Sequence, residues 1–359
     1  LIAWVGALLA VAAGCATTRP PLQPRALALQ AEGVEALGQG ELDRAAGSFA
    51  LALEYEPRLA EAENGLGLVA LRRGSYEHAE AKFRAALALN EDLSEAHLNL
   101  ASLLLRRDAL EDALREARAA LAIDPGYGDA RLVTGELLLR LGKLDDARWE
   151  LEKLCAAAPK RADAHAANAI VLVRLSRQSE AETQVGEALA LDPKLPAAHR
   201  ARAEILRRGG DLEAATQEIE LVLAAEPDSA DDRLTHALLI AARGGWEQAG
   251  GELARLVELA PRHAQARFAL AFVALRRGQP ELAVRAAGDA LALRDPFPEA
   301  RLVRAEALLR VGRTRDAQQD LKQFLRDAPP QTMGAERARA EQMLQRRPTE
   351  DPWTTLLAK

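Results

Sequence analysis

Little of this 359-residue chain is aromatic, and almost none of it is cysteine. Two Cys cannot build a disulfide framework, and aromatics at 4% cannot supply the bulk of an ordinary core. Neither sign of charge prevails. The 47 basic residues face 53 acidic ones for a net charge of −6, so nucleic acid is not an expected partner. No P-loop, dinucleotide-type glycine run, GxSxG elbow or HExxH pair occurs, so no recognised catalytic or cofactor motif is present. Apolar residues nevertheless reach 49%, which excludes a disordered chain. What fills the sequence instead is Ala and Leu, both strong helix formers, with few β-branched residues against them. Length alone suggests two or three domains of about 150 residues each, unless the chain repeats. It does.

Prolines fall at Pro57, Pro125, Pro159, Pro193, Pro227, Pro261 and Pro329, on one 34-residue grid whose two gaps hold Glu91 and Asp295. A second column is Ala nine times: Ala45, Ala79, Ala113, Ala147, Ala181, Ala215, Ala249, Ala283 and Ala317. A third holds Gly40, Gly74, Gly142, Gly210, Gly244, Gly278 and Gly312, with Asp108 and Ser176 in the gaps. A fourth holds only Gly or Ala, from Gly33 and Gly67 to Ala271 and Ala305. The third column marks where a first helix stops, because Gly takes the left-handed C′ conformation without a Cβ clash. Proline follows the second helix, since it has no N–H to continue one. Small residues let the paired helices approach. Leu212, Ala215, Ile219, Val222 and Leu223 show helical apolar spacing between these columns. Each repeat is therefore a helical hairpin that needs its neighbours to bury its apolar faces.

The small pair Gly67 and Ala79, the bulky Phe49 and Phe83 in second helices, and the closing Pro make residues 26–331 resemble the tetratricopeptide repeat family. Later repeats replace the aromatics by Leu, Val or Ile, and the Trp usual near each repeat start is absent. The resemblance implies an all-α, right-handed solenoid of nine 34-residue hairpins. Residues 332–347, with Met333, Ala340, Met343 and Leu344 among charges, read as a capping helix, and 348–359 as an extended tail.

Residues 1–14 carry no charge and Cys15 follows them. Fourteen apolar residues are short for a bilayer span and suit the core of a signal peptide. Small residues before Cys15 resemble a bacterial lipoprotein cleavage box, although Ala12 stands where Leu is usual. The expectation is lipidation of Cys15, with residues 15–25 as a Pro-rich tether; an ordinary secretory signal or a retained short anchor is the alternative. The chain starts without Met or a basic segment, as a slightly truncated chain or a misread start would.

Candidates for chemistry are few. Cys155 occupies a column otherwise filled by Leu or Val, such as Leu121 and Val257, and reads as a small apolar residue. His97, His165 and His199 share the fourth repeat position, and equivalent positions of neighbouring hairpins, as for His165 and His199, lie about 8–10 Å apart. Zinc needs ligands near 2 Å from a common centre, so packing is the better reading and neither a metal nor a cofactor is expected. No catalytic residue is expected either.

Charge also repeats. Acids open most first helices (Glu61, Glu95, Asp129, Asp163, Asp231, Glu299), and arginines close them: Arg72, Arg106, Arg140, Arg174, Arg208, Arg276 and Arg310. That polarity suits the helix dipole; as a function, the arginines would form a basic ribbon for an acidic partner. In the family the concave groove is lined by repeat positions two, five, nine, twelve and thirteen. The clamp for chaperone tails needs Lys and Asn at positions five and nine, where the first repeats have Gln30 and Val34, then Asn64 and Leu68. Groove positions of the C-terminal half read Leu234, Leu238, Phe268, Phe272, Leu275, Leu302 and Leu309. They are either an exposed apolar site for a partner or surface covered by neighbouring repeats. Phe268 and Phe272, one helical turn apart, are the expected anchors.

The resemblance implies a non-catalytic scaffold that binds proteins or peptide segments in its groove. With the anchor, it implies a lipoprotein of the bacterial envelope facing the periplasm, the outer membrane favoured over the inner. Such proteins assemble type IV pilus secretins or exopolysaccharide machinery; an adaptor for peptidoglycan-remodelling enzymes is the alternative, and an enzyme with a cryptic groove site a third.

Overall fold

The structure, a computed structural model, describes residues 21–345, so the signal-peptide segment, Cys15 and residues 346–359 lie outside it. Among the described residues there are nineteen helices and no strand, an all-α helical solenoid. The described residues divide into two compact units, one ending at Glu150 and the other beginning at Leu151.

The first unit holds the hairpins α1 (Pro24–Gly38) with α2 (Leu42–Tyr55), α3 (Ala60–Arg72) with α4 (Tyr76–Leu89), and α5 (Ser94–Arg106) with α6 (Leu110–Ile123). It ends with α7 (Gly128–Arg140) and the first half of α8 (Leu144–Ala157). Helix α1 begins two residues inside the expected tether, because Pro24 occupies the first helical turn, where its missing N–H costs nothing. The second unit runs through α9 (Ala162–Arg174), α10 (Gln178–Leu191), α11 (Pro196–Gly209), α12 (Leu212–Ala225), α13 (Ala230–Ala242), α14 (Trp246–Leu259) and α15 (Ala264–Arg276). It closes with α16 (Pro280–Leu293), α17 (Pro298–Arg310), α18 (Thr314–Asp327) and α19 (Gly334–Gln345). Within each unit consecutive helices pack together, as α1 does with α2 and α15 with α16. First helices also touch first helices, as α3 does α5 and α9 does α11.

The columns explain the stacking. All nine residues of the Ala column are fully buried. The third-column residue beyond each first helix has positive φ at every repeat, including Asp108 (φ 59) and Ser176 (φ 61). Ser75 N–H then reaches back to the Ala70 carbonyl at 2.9 Å, the bond that closes a helix through a left-handed residue. Residues preceding the column prolines are extended, as Glu56 (φ −139) and Asp192 (φ −138) are, because proline disfavours helix before it. On α19, Ala340 is fully buried against Phe324 and Leu321, with Met333, Met343 and Leu344 around it. Arg337 donates to the Ala328 carbonyl at 2.7 Å, so α19 covers the last hairpin and satisfies an open carbonyl beyond α18.

The fourth repeat position acts as a clamp between the two helices of a hairpin. His97 Nδ1 meets Glu116 at 2.7 Å, nineteen residues on, while Nε2 donates to the Glu91 carbonyl at 3.0 Å. His199 repeats this with Glu218 (2.7 Å) and the Pro193 carbonyl (3.1 Å), and His165 with Gln184 (2.9 Å) and the Pro159 carbonyl (3.1 Å). Arg131 does the same between Glu150 and the Pro125 carbonyl. In α3 and α4 the polarity is reversed: Glu63 accepts from Lys82 Nζ at 2.8 Å.

Candidate functional site

Both ring nitrogens of each column histidine are committed to protein oxygens, so the histidines are joints between helices. Among the described residues no group of three His, Cys, Asp or Glu could hold a metal ion. Cys155 is half-buried, and burial, with Glu187 nearby, pushes its thiol up to about 11, which leaves it protonated and unreactive at neutral pH.

The apolar groove set separates under inspection. Leu275 is 3% exposed and Leu302 is 8% exposed, so both belong to the core and not to an open surface. Leu234, Phe268 and Phe272 are half-buried against the core formed by α13 to α17, and Leu309 is half-buried. The Phe272 ring meets Trp246 edge-on with centroids 6.2 Å apart, and Phe268 meets Phe297 at 5.2 Å. Only Leu238 of the set, at 42%, stands well exposed. The two phenyl rings are spent largely on their own unit, because the side chains available around them are aromatic and close. Trp246, which the repeat columns do not single out, is the residue that occupies Phe272.

The arginines behave differently. All seven are exposed, yet three are engaged. Arg208 donates to the Val173 carbonyl at 2.7 Å and Arg310 to the Leu275 carbonyl at 2.9 Å, each closing the end of the preceding first helix. Arg276 lies over the Trp246 ring, 4.7 Å from its centroid. Arg72, Arg106 and Arg140 in the first unit and Arg174 in the second have no hydrogen bond or ion pair among the described residues. In the first unit these guanidinium groups close α3, α5 and α7, and neighbouring helices of that set are in contact, so the charges form a row.

In the second unit the first helices α9, α11 and α13 line an open depression of about 550 Å3, with Ile219 of α12 at its base. Arg174, Arg200, Arg207 and Arg208 line it together with Glu204 and Asp232, above Ile170, Ala203, Ile219 and Leu239. Arg200 holds Asp232 through two bonds of 2.9 and 2.8 Å, and also Glu226. Burial opposes ionisation of Asp232, but the bonds from Arg200 and Ser229 outweigh it and hold the carboxyl below the usual carboxylate range. Glu204 is held low in the same way: burial opposes, and Arg207 (2.7 and 2.8 Å) with Arg208 (2.9 Å) prevails. Arg200, Glu204 and Arg207 occupy the fifth, ninth and twelfth repeat positions. Reading those columns for charge as well as for hydrophobicity would have found them.

A tetratricopeptide repeat model matches residues 31–94, 79–128, 166–230 and 234–301, and a second one residues 108–170. No curated protein matches the chain. Among solved structures, the APC/C hetero-tetramer Cut9–Hcn1 is similar at 14% identity over 78% of this chain and 55% of that chain, with a TM-score of 0.61. A thermophilic tetratricopeptide protein of Thermus thermophilus is similar at 25% identity over 51% of this chain and 99% of that one, with a TM-score of 0.46. PilF of Pseudomonas aeruginosa is similar at 22% identity over 57% of this chain and 95% of that one, with a TM-score of 0.45. With its hairpins, its columns and more than half its length matched, the chain belongs to the tetratricopeptide repeat family.

Proposed function

We propose that the protein is a non-catalytic scaffold which binds other proteins on its concave faces, and that Cys15 anchors it to a membrane of the bacterial envelope, facing the periplasm. The observation that carries the binding reading is the set of exposed arginines without partners, Arg72, Arg106, Arg140 and Arg174, at groove positions. Every other candidate for chemistry is occupied: the column histidines are clamped and the Cys155 thiol is protonated. The basic row takes the leading place among interaction surfaces, ahead of the apolar set, because the apolar side chains are packed into their own unit. The anchor reading is supported by the uncharged residues 1–14 directly before Cys15. On this reading the protein helps assemble an envelope complex, of the kind that builds type IV pilus secretins or exporters of polysaccharide.

The test pairs fractionation with capture. Wild type expressed in a bacterial host should sediment with membranes and take up a lipid label, and Cys15→Ser should move to the soluble fraction. Immobilised protein should retain a defined set of proteins from envelope extract, and Arg106→Glu with Arg140→Glu should lose them with the helical circular dichroism unchanged. Membrane association without a lipid label, unchanged in Cys15→Ser, would discard the anchor. Capture indifferent to both arginine reversals would discard the basic face.

A further inference from the structure

Two kinds of joint occupy the fourth repeat position, and they differ in how many protons they need. The ionised Glu116 and the Glu91 peptide oxygen, which meet the two nitrogens of His97, can only accept. The same holds for Glu218 and the Pro193 oxygen around His199. A neutral imidazole carries one N–H, so either tautomer leaves one ring nitrogen with its lone pair against an oxygen. Only the imidazolium makes both bonds. Water has little access to replace a lost one, with His97 and Glu116 at 15% and 18% side-chain exposure and His199 and Glu218 at 11% and 14%. Other hairpins place a permanent cation there. Arg131 joins Glu150 (2.5 Å) to the Pro125 oxygen (2.6 Å), and Arg267 joins Asp289 (2.8 Å) to the Pro261 oxygen (2.9 Å). His165 is a lesser case: Glu187 lies at 2.9 Å, but Gln184 beside it can turn its amide and offer an N–H.

We propose that His97 and His199 are proton-operated joints: the hairpins α5–α6 and α11–α12 close in full while the ring carries two protons and loosen when it carries one. The groups facing His97 are Glu116 on α6 and the Glu91 oxygen, and no other charged side chain bonds to it among the described residues. Around His199 stand Glu218, the Pro193 oxygen and Arg202, which shares Glu218 at 3.4 Å. Arg202 keeps Glu218 engaged when the ring loses its proton, so His97 is the more sensitive of the two. Folding gives two bonds to the protonated ring and one to the neutral ring, so the hairpin is most stable with the proton bound and weakens as pH rises. Arg106 closes α5, so the same proton sets how firmly one charge of the basic row is held.

Amide hydrogen exchange of the full-length protein at about pH 5.5 and about pH 8 tests this, read as protection factors so that the intrinsic pH dependence of exchange drops out. Wild-type α5 and α6 should lose about tenfold in protection at the higher pH relative to α3 and α4, whose joint is Glu63 with Lys82. His97→Arg should remove most of that difference, because it installs the permanent cation that Arg131 supplies one hairpin later. Arg131→His should create a pH dependence in α7 where wild type has none, and it keeps the test decisive should His97→Arg fold poorly. Equal protection of α5 and α6 at the two pH values in wild type would overturn the proposal. So would a loss at high pH that persists in His97→Arg, or an Arg131→His protein whose α7 ignores pH.

Discussion

In the first two hairpins of the first unit phenyl rings stand against glycine, whereas in several hairpins of the second aliphatic chains stand against alanine. Phe49 is fully buried, and a Cβ added to Gly33 or Gly65 would lie 2.6 or 2.5 Å from its ring. Phe83 holds the same relation to Gly67, at 2.5 Å. In the second unit Val185 packs with Ala169, Ile219 with Ala203, and Leu321 with Ala305. The two solutions fill one space: where the second helix brings a larger group, the first helix gives up its Cβ. In these hairpins the pair of columns trades volume, whereas Ala101 with Ala117 and Ala271 with Ala287 are small on both sides and leave the space to other side chains.

That comparison breaks most visibly at the rings. Phe83→Ala should cost about 4 kcal/mol, and Val185→Ala only about 2 kcal/mol, read as loss of hydrogen-exchange protection in the hairpin concerned and as urea midpoints. Gly67→Ala should cost about 2 kcal/mol by forcing the Phe83 ring aside, and adding Phe83→Leu should recover part of it. Equal losses from Phe83→Ala and Val185→Ala would sink the idea of a larger payload in the first unit. A smaller effect separates the buried phenyls from the half-buried ones of the second unit. Phe272→Ala should lower stability by about 2 kcal/mol, because the ring packs on the core and meets Trp246 edge-on. An unmoved melting temperature would instead return Phe272 to the interaction surface and restore the apolar groove. The smallest effect has the opposite sign. Asp108 in the first unit and Ser176 in the second hold a left-handed backbone that glycine holds in the other repeats. Asp108→Gly and Ser176→Gly should each stabilise by about 1 kcal/mol, raising the melting temperature slightly, and a loss would mean that the side chain contributes there.

The hairpins were legible in the sequence because each is fixed by local chemistry. Proline, a left-handed glycine and a small residue act within a few residues of where they stand, and the 34-residue period repeats each signal at seven or more of the nine grid points. The histidine column was legible as packing for a similar reason, since its partners lie in the same hairpin at a constant separation. The binding surface was less so. Periodicity assigns Phe268, Phe272, Leu275 and Leu302 to a face but cannot report that Trp246 and Phe297, from other columns, close over the rings. The arginine column posed the same difficulty in reverse. Arg174 and Arg208 are identical by position, and only the contact of Arg208 with the Val173 carbonyl tells the stapled side chain from the open one.

The clamps at the fourth repeat position have a consequence for how such a chain can grow. Both side chains of a clamp, such as His199 with Glu218 or Glu63 with Lys82, are encoded inside one hairpin. What joins the clamp to the preceding hairpin is a peptide oxygen, that of Pro193 for His199 and of Glu91 for His97. Every residue type supplies that oxygen, so the joint makes no demand on the identity of its neighbour. A 34-residue cassette copied or excised between grid points would keep its own clamp and find an acceptor wherever it landed. The reversed pair Glu63 and Lys82 keeps the clamp inside its hairpin as well, but a carboxylate has no N–H to give, so that repeat closes without the joint to a preceding peptide oxygen.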